Sequence, residues 1–222
     1  MNVLGLDTST AATAACLLRG DGAAFEVLPA VAQLDGPPAH ARELMPALVR
    51  VMEEGGLSWS ELDAIAVGVG PGTFTGLRIG VSTARALAHA QRLPLRAVSS
   101  LAALARGIAA PVALALIDAR RGELFAALYE AAVQRWAPFV AAPGAVVDRV
   151  RLEAIAPLAA GDGSLRFRAD LEAGGVNVAA DGSRCHVVSA LHLCRLAVEQ
   201  PDAAPDGVVP DYLREPDAKP TR

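Results

Sequence analysis

Thirteen residues, Gly68 to Gly80, read GVGPGTFTGLRIG and hold five glycines. An apolar run, Asp63 to Val69, precedes them, and a helical pattern from Leu77 to Ala90 follows. The unit is therefore a buried strand, a tight turn and a helix. The stretch is not a P-loop, because Gly76 is followed by Leu77-Arg78 where Gly-Lys-Ser/Thr is required. It is not a dinucleotide fingerprint either: the sixth position falls on Thr73 or Thr75, not glycine. Two readings remain. Backbone N–H groups of Gly70, Gly72 and Thr73 can cradle an anion at a helix N-terminus. Alternatively the glycines are steric. Gly76, Gly80, Ala84 and Ala88 recur every four residues and make a small-residue stripe, flanked by Leu77 and Val81. Such a stripe lets a neighbouring helix, from this chain or another, come close.

A second feature is an internal echo. VLGLDTSTAATAACLL near the N-terminus and LALIDARRGELFAALY in the middle share one plan: apolar strand, Asp, short polar or small turn, apolar strand. Asp7 and Asp118 hold the same place in the two hairpins. Either aspartate can hold Mg²⁺ through water in a cleft, or close an Asx-turn. Two similar starts within alternating strands and helices imply an α/β protein of two lobes. The boundary is expected near residues 98–100, giving lobes 1–98 and 99–200 and a proline-rich tail, 201–222.

Between these landmarks, Phe25 to Leu34 suits a third strand. His40 to Glu54 suits a helix with two apolar stripes, Leu44, Leu48, Val51 and Met45, Val49, Met52; Pro46 either sits in its first turn or kinks it. Ser58 to Glu61 has capping-box spacing. Pro94 to Val98 suits a strand, and Ser99-Ser100 caps a helix through Arg106. After Val133 the pattern weakens. Helix then strand are expected over 145–160, a short helix over 165–173, and a clearer helix over 187–199. Pro201, Pro205, Pro210 and Pro216 keep the tail irregular.

Apolar residues are 53% and charged residues 20% of the 222, so the chain has the makings of a core. A net charge of −4 and the absence of a basic run argue against this chain gripping nucleic acid unaided. Three unevenly spaced cysteines are not a disulfide framework. The start MNVLGLD lacks a basic region and a cleavage site, and the longest apolar run, 107–117, is short of the roughly 20 residues a membrane helix needs. A soluble cytoplasmic protein without membrane contact is expected. Gly-x-Ser-x-Gly and His-Glu-x-x-His do not occur. Cys185, His186, His192 and Cys194 gather in sequence, but at no standard zinc spacing. His40 stands alone as a ligand candidate. Neither a catalytic set nor a metal site is assigned.

In order along nearly the whole chain stand LGLDTST, HARELMP, GVGPGTFTGLRIG, SSLAALA, DARRGELFAALY and PDYLR. With these the chain resembles the bacterial TsaB family, formerly YeaZ. The resemblance implies the two-lobed fold of actin, sugar kinases and chaperone ATPases, with a reduced second lobe. It implies a role in making threonylcarbamoyladenosine on tRNA as a noncatalytic scaffold. The partners it implies are the catalytic paralogue TsaD and the ATPase TsaE, with tRNA reached only through the complex. An isolated chain can instead form a homodimer. The family pairs through the N-terminal lobe and its helices. Carried over here, that places the interface on His40, Leu44, Leu48, Gly76, Leu77, Gly80, Val81, Ala84 and Ala88. The resemblance leaves Asp7, Thr8, Ser9, Gly70, Gly72 and Thr73 as a vestigial nucleotide site. No cofactor is expected in the isolated subunit; a nucleotide at the joint with TsaD stays open. The rival reading is a small-molecule kinase or ATPase of the same fold. A protease has no nameable nucleophile, base and oxyanion set.

Overall fold

The structure is a computed structural model that describes residues 1–214; the expectation placed on Pro216 lies outside them. In chain order the elements are β1 (Val3–Asp7), β2 (Ala14–Leu18), β3 (Ala24–Val27), α1 (His40–Gly55), β4 (Ala64–Gly70), α2 (Phe74–Gln91), β5 (Leu95–Ser99) and α3 (Ser100–Arg106). There follow β6 (Val112–Arg120), β7 (Glu123–Glu130), β8 (Val133–Ala141), α4 (Pro143–Leu152), β9 (Leu158–Ala160), α5 (Asp162–Arg166), α6 (Arg168–Ala173), β10 (Asn177–Val178) and α7 (Ala190–Val198). Among the described residues no helix is long and apolar enough to cross a membrane.

The echoed hairpins head two sheets of one topology. The first runs β3-β2-β1-β4-β5 and the second, written the same way round, β8-β7-β6-β9-β10. In each, the leading strand pairs antiparallel with the next on one side and parallel with a later strand on the other. The parallel side of the second sheet is the reduced one, since β9 and β10 have three and two residues against seven and five in β4 and β5.

Period-two alternation assigns each strand face to a layer. On β1, Leu4 and Leu6 join Leu44, Leu48 and Val51 of α1 and Val81, Ala84 and Ala88 of α2 in one core. The opposite face, with Val3, Cys16 and Ala66, joins Leu101 and Leu104 of α3, Leu193 and Cys194 of α7, and Ala113, Ala115 and Ile117 of β6. The far face of β6, Leu114 and Leu116, packs with Trp136, Val146, Val150 and Leu171. The molecule is thus five layers, with α3 and α7 between the sheets. Gly5 is what lets α7 lie flush on β1: a Cβ there would stand 2.4 Å from Cys194 Sγ and 3.2 Å from the Ala190 carbonyl oxygen.

Most expected elements form, and the differences have local causes. The strand expected over 25–34 stops at Val27 and gives way to a 3₁₀ turn over Val31–Asp35. Pro29 between them cannot donate to a ladder. Helix α2 begins at Phe74, three residues before the expected Leu77, so the turn proper is only Pro71-Gly72-Thr73. Helix α1 carries Pro46 on an exposed position beyond its first turn and ends at Gly56, whose φ of 65° is left-handed. The single helix expected over 165–173 is two, meeting at Phe167. Strand β8 has no expected counterpart. It is an edge strand with Pro138 and one buried residue, Trp136, so it shows no alternation to read.

The Gly5 contact makes a test. Gly5→Ala is expected to destabilise the chain by about 1–3 kcal/mol in chemical denaturation. Adding Cys194→Ala, which clears the sulfur, should recover part of that loss; a purely additive double variant would contradict the contact.

Candidate functional site: the glycine turn, the first hairpin and the interlobe cleft

The turn between β4 and α2 lies directly on the turn between β1 and β2. A Cβ at Gly72 would stand 2.5 Å from the Ser9 carbonyl oxygen, and one at Gly76 would stand 2.0 Å from that of Thr8. At Gly80 the obstacle is Thr8 Oγ1, 2.3 Å away. The contact is also bonded: the Thr8 hydroxyl donates to the Gly76 carbonyl at 2.7 Å, and Thr73 N–H donates to Ser9 O at 2.7 Å. The glycines are therefore steric, and what they admit is the chain's own first hairpin.

The residues of the expected docking face are turned inward within the chain itself. Gly76, Leu77, Gly80, Val81, Ala84 and Ala88 are all buried, as are Leu44 and Leu48 of α1, and they face the first sheet. The outward faces carry other residues. Met45 and Val49 on α1 are 42% and 39% exposed. Arg78, Ser82 and Ala86 are exposed on α2, with Ile79 and Thr83 half-buried. Two of the three residues of the second apolar stripe, Met45 and Val49, were the signal in the sequence: apolar residues around more than one face leave some outside. His40 is buried too. Its Nε2 lies 3.1 Å from the Thr10 carbonyl and its Nδ1 2.8 Å from the Thr13 hydroxyl. A carbonyl can only accept, so Nε2 carries the proton and Nδ1 receives the hydroxyl. Burial lowers the pKa of His40. The side chain clamps the start of α1 to the first hairpin.

Asp7 is consumed in the same way. Its Oδ1 accepts from Ser9 N–H at 2.8 Å, which is an Asx-turn, and from Ser9 Oγ at 2.6 Å. Its Oδ2 accepts from Ser100 Oγ at 2.6 Å. It sits beneath Gly68, where a Cβ would stand 1.8 Å from Oδ2. Burial raises its pKa; the hydrogen bonds from Ser100 and Ser9 work against that rise.

Asp118, its counterpart, does line a cleft. Oδ1 accepts from Arg120 N–H at 2.9 Å, and Oδ2 pairs with Arg166 and with the Arg120 side chain, both at 3.1 Å. Beside it, Asp162 accepts from the Asp118 and Gly163 N–H groups, and burial pushes its pKa up to about 6. The cleft holds a cavity of about 410 Å³ between Gly72–Thr75, the turn at Asp118–Arg121, and Asp211–Arg214. Of the candidate nucleotide residues, Gly72 and Thr73 face this cavity. Asp7, Thr8 and Ser9 are turned under α2, and Gly70, with φ +110°, packs on Leu77.

The four residues considered for zinc do not meet. Cys194 Sγ points at the Val3 and Cys16 carbonyls, while His186 is held by Gly161, Ser164 and the Ala179 carbonyl. Cys185 contacts Ser183. Among the described residues no three of His, Cys, Asp and Glu form a group that could hold a metal.

Two tests follow from this geometry. Gly80→Leu is expected to lower the melting temperature of the isolated chain by about 6 °C or more, because the new side chain lands on Thr8. For Asp7 the raised pKa fixes the sign. Its stabilising contribution is complete below the unfolded value near pH 4 and is lost as pH rises through the higher folded value. Asp7→Asn, which can still accept from Ser9 and donate to Ser100, should match the parent near pH 4 and melt higher at pH 7.

A family model described as TsaD: tRNA N6-adenosine threonylcarbamoyltransferase matches residues 27–153, more than half of the chain. The chain is 36% identical over 137 residues to the tRNA threonylcarbamoyladenosine biosynthesis protein TsaB of Escherichia coli. That match covers 59% of this chain and 55% of the E. coli protein, so it spans just over half of that relative's length. An uncharacterized protein of Mycobacterium tuberculosis is 34% identical over 218 residues, 98% of this chain and 94% of its own. The solved structure of YeaZ from Pseudomonas aeruginosa superposes with a TM-score of 0.73 at 29% identity, covering 96% of this chain and 99% of that one. The architecture is accordingly the two-lobed one of actin, sugar kinases and chaperone ATPases. With the Gly-Pro-Gly-Thr-Phe-Thr-Gly turn folded onto its own first hairpin and these likenesses over nearly its whole length, the chain belongs to the TsaB (YeaZ) family.

Proposed function

We propose that this chain is a noncatalytic scaffold subunit in the synthesis of N6-threonylcarbamoyladenosine on tRNA. In this reading it pairs with a TsaD homologue in the cytoplasm, and a TsaE-type ATPase joins the pair. Transfer chemistry resides in the partner, and tRNA is met by the assembly. A nucleotide is held only where two chains meet, and an isolated chain is able to pair with a second copy through the same face.

One observation carries the reading. The polar groups around the first hairpin, Asp7, Thr8, Ser9 and His40, are buried and bonded within the chain, with Ser100, Gly76 and Thr13 among their partners, which takes them out of a substrate's reach. What the lobe offers outward instead is the face of Met45 and Val49 on α1 with Ile79, Thr83 and Ala86 on α2. Short and apolar side chains there can pack against a partner helix and exclude water.

The alternative, a small-molecule kinase or ATPase of the same fold, draws on the cavity beside Gly72 and Thr73 and the arginines at its rim. Calorimetry of the isolated chain with Mg-ATP separates the two: binding heat favours the enzyme, and a flat titration at millimolar nucleotide favours the scaffold.

The scaffold reading predicts the behaviour of a surface variant. Met45→Asp with Val49→Asp should weaken co-elution with the TsaD homologue at least about tenfold, since each buried carboxylate would lie unpaired. Both side chains are exposed, so the melting temperature should hardly move. Undiminished co-elution would rule this face out as the joint.

A further inference from the structure

After α7 the chain does not trail away. Arg96 anchors the exit, donating to the Ala197 and Val198 carbonyls at 2.8 and 3.1 Å and pairing with Asp202 at 2.8 Å. Ala203 then bridges the edge of β5, exchanging two backbone hydrogen bonds of 3.1 Å with Leu95. From there the segment runs back along α2. Asp206 meets Arg85 at 2.9 Å and His89 at 3.1 Å near the end of that helix. Val208 is buried in the core beneath it. At the helix start, Asp211 N–H donates to the Val69 carbonyl at 2.7 Å. The Tyr212 ring lies 5.2 Å from Phe74, and its hydroxyl accepts from Arg78 Nε at 3.2 Å. The segment then crosses the cleft: Arg214 donates to the Ala119 carbonyl at 2.9 Å and pairs with Glu123, both on the second hairpin.

We propose that residues 203–214 are a latch that locks the interlobe cleft at its mouth by tying the start of α2 to the β6–β7 turn. The placement of the two ends carries this. The contacts up to Tyr212 grip the first lobe, while Leu213 packs on the middle layer and Arg214 bonds to the second hairpin. Asp211 to Arg214 also form one wall of the cavity of about 410 Å³, so releasing them opens it. The grip on α2 follows the rim of the outward face, through Arg78, Arg85 and His89. Anything that displaces the segment from α2 therefore also unfastens the cleft. The inference stands on contacts within one chain and does not depend on which partner the outward face binds.

Hydrogen exchange followed by mass spectrometry on the full-length chain tests it. Tyr212→Ala with Arg214→Ala should speed exchange about tenfold or more in two separate segments, 70–77 and 118–123, leaving 3–7 and 190–198 unchanged. Arg214→Lys, which keeps one cationic donor, should restore much of the protection at 118–123. Faster exchange confined to 70–77 would mean that the segment only packs locally, and the latch would be refuted. A uniform rise through the whole chain, or no rise, would refute it equally.

Discussion

The approach of α2 to the first hairpin sets everything around it. The carbonyl of Thr8 occupies the space where a side chain at Gly76 would begin, and its hydroxyl occupies that space at Gly80. About 10 Å separates stacked sheets, but here backbone rests on backbone. One consequence is electrostatic. Packed this closely, the hairpin's hydroxyls and carboxylate can find partners only within the chain, and they do. The other is geometric. With Gly76, Gly80, Ala84 and Ala88 turned inward beside Leu77 and Val81, the surface of α2 is left to Arg78, Ser82, Ala86 and the edges of Ile79 and Thr83.

The two lobes show how one plan can be put to different uses. Both leading hairpins carry an aspartate at or near the end of the first strand, and each accepts from the backbone N–H two positions later. In the first lobe, serine hydroxyls neutralise the demand and the carboxylate lies under a glycine. In the second, arginines do so, and the carboxylate stays at the rim of the cleft. A buried carboxylate bonded only by neutral donors is costly to ionise, and burial raises the Asp7 pKa accordingly. The same backbone thus gives one aspartate held by serines under a glycine and one, also buried, held by arginines beside the cleft.

Much of this was legible in the sequence. The runs at Val3, Asp63 and Pro111 are apolar, short and fenced by turn residues, and each became a central strand. The shared plan of the two hairpins turned out to be a duplication of whole sheets. Site details were harder for physical reasons. A glycine-alanine stripe records that something comes near; it does not record what, and a neighbouring hairpin leaves the same trace as a neighbouring protein. His40 reads as an isolated ligand because its partners, Thr10 and Thr13, lie some thirty positions away in the chain. The tail reads as irregular, which is true of its backbone, yet its order comes from pairings more than a hundred residues distant, such as Arg78 with Tyr212. Strand β8 escaped because an edge strand needs only one anchored side chain, and Trp136, bonded to Glu153, suffices.

The middle layer has a further meaning for how the molecule is made. Val3, Ala14, Cys16 and Ala66 belong to the earliest third of the chain, yet the helix that covers them, α7, ends at Val198. At elongation speeds of about 5–20 residues per second, on the order of five to twenty seconds pass between the completion of the first sheet at β5 and that of α7. During that interval the first sheet has its α1 and α2 side clothed and its other side bare. A nascent chain of this design presents a sticky half-finished sheet to the cell, and it depends on whatever shields such surfaces until its final helix arrives.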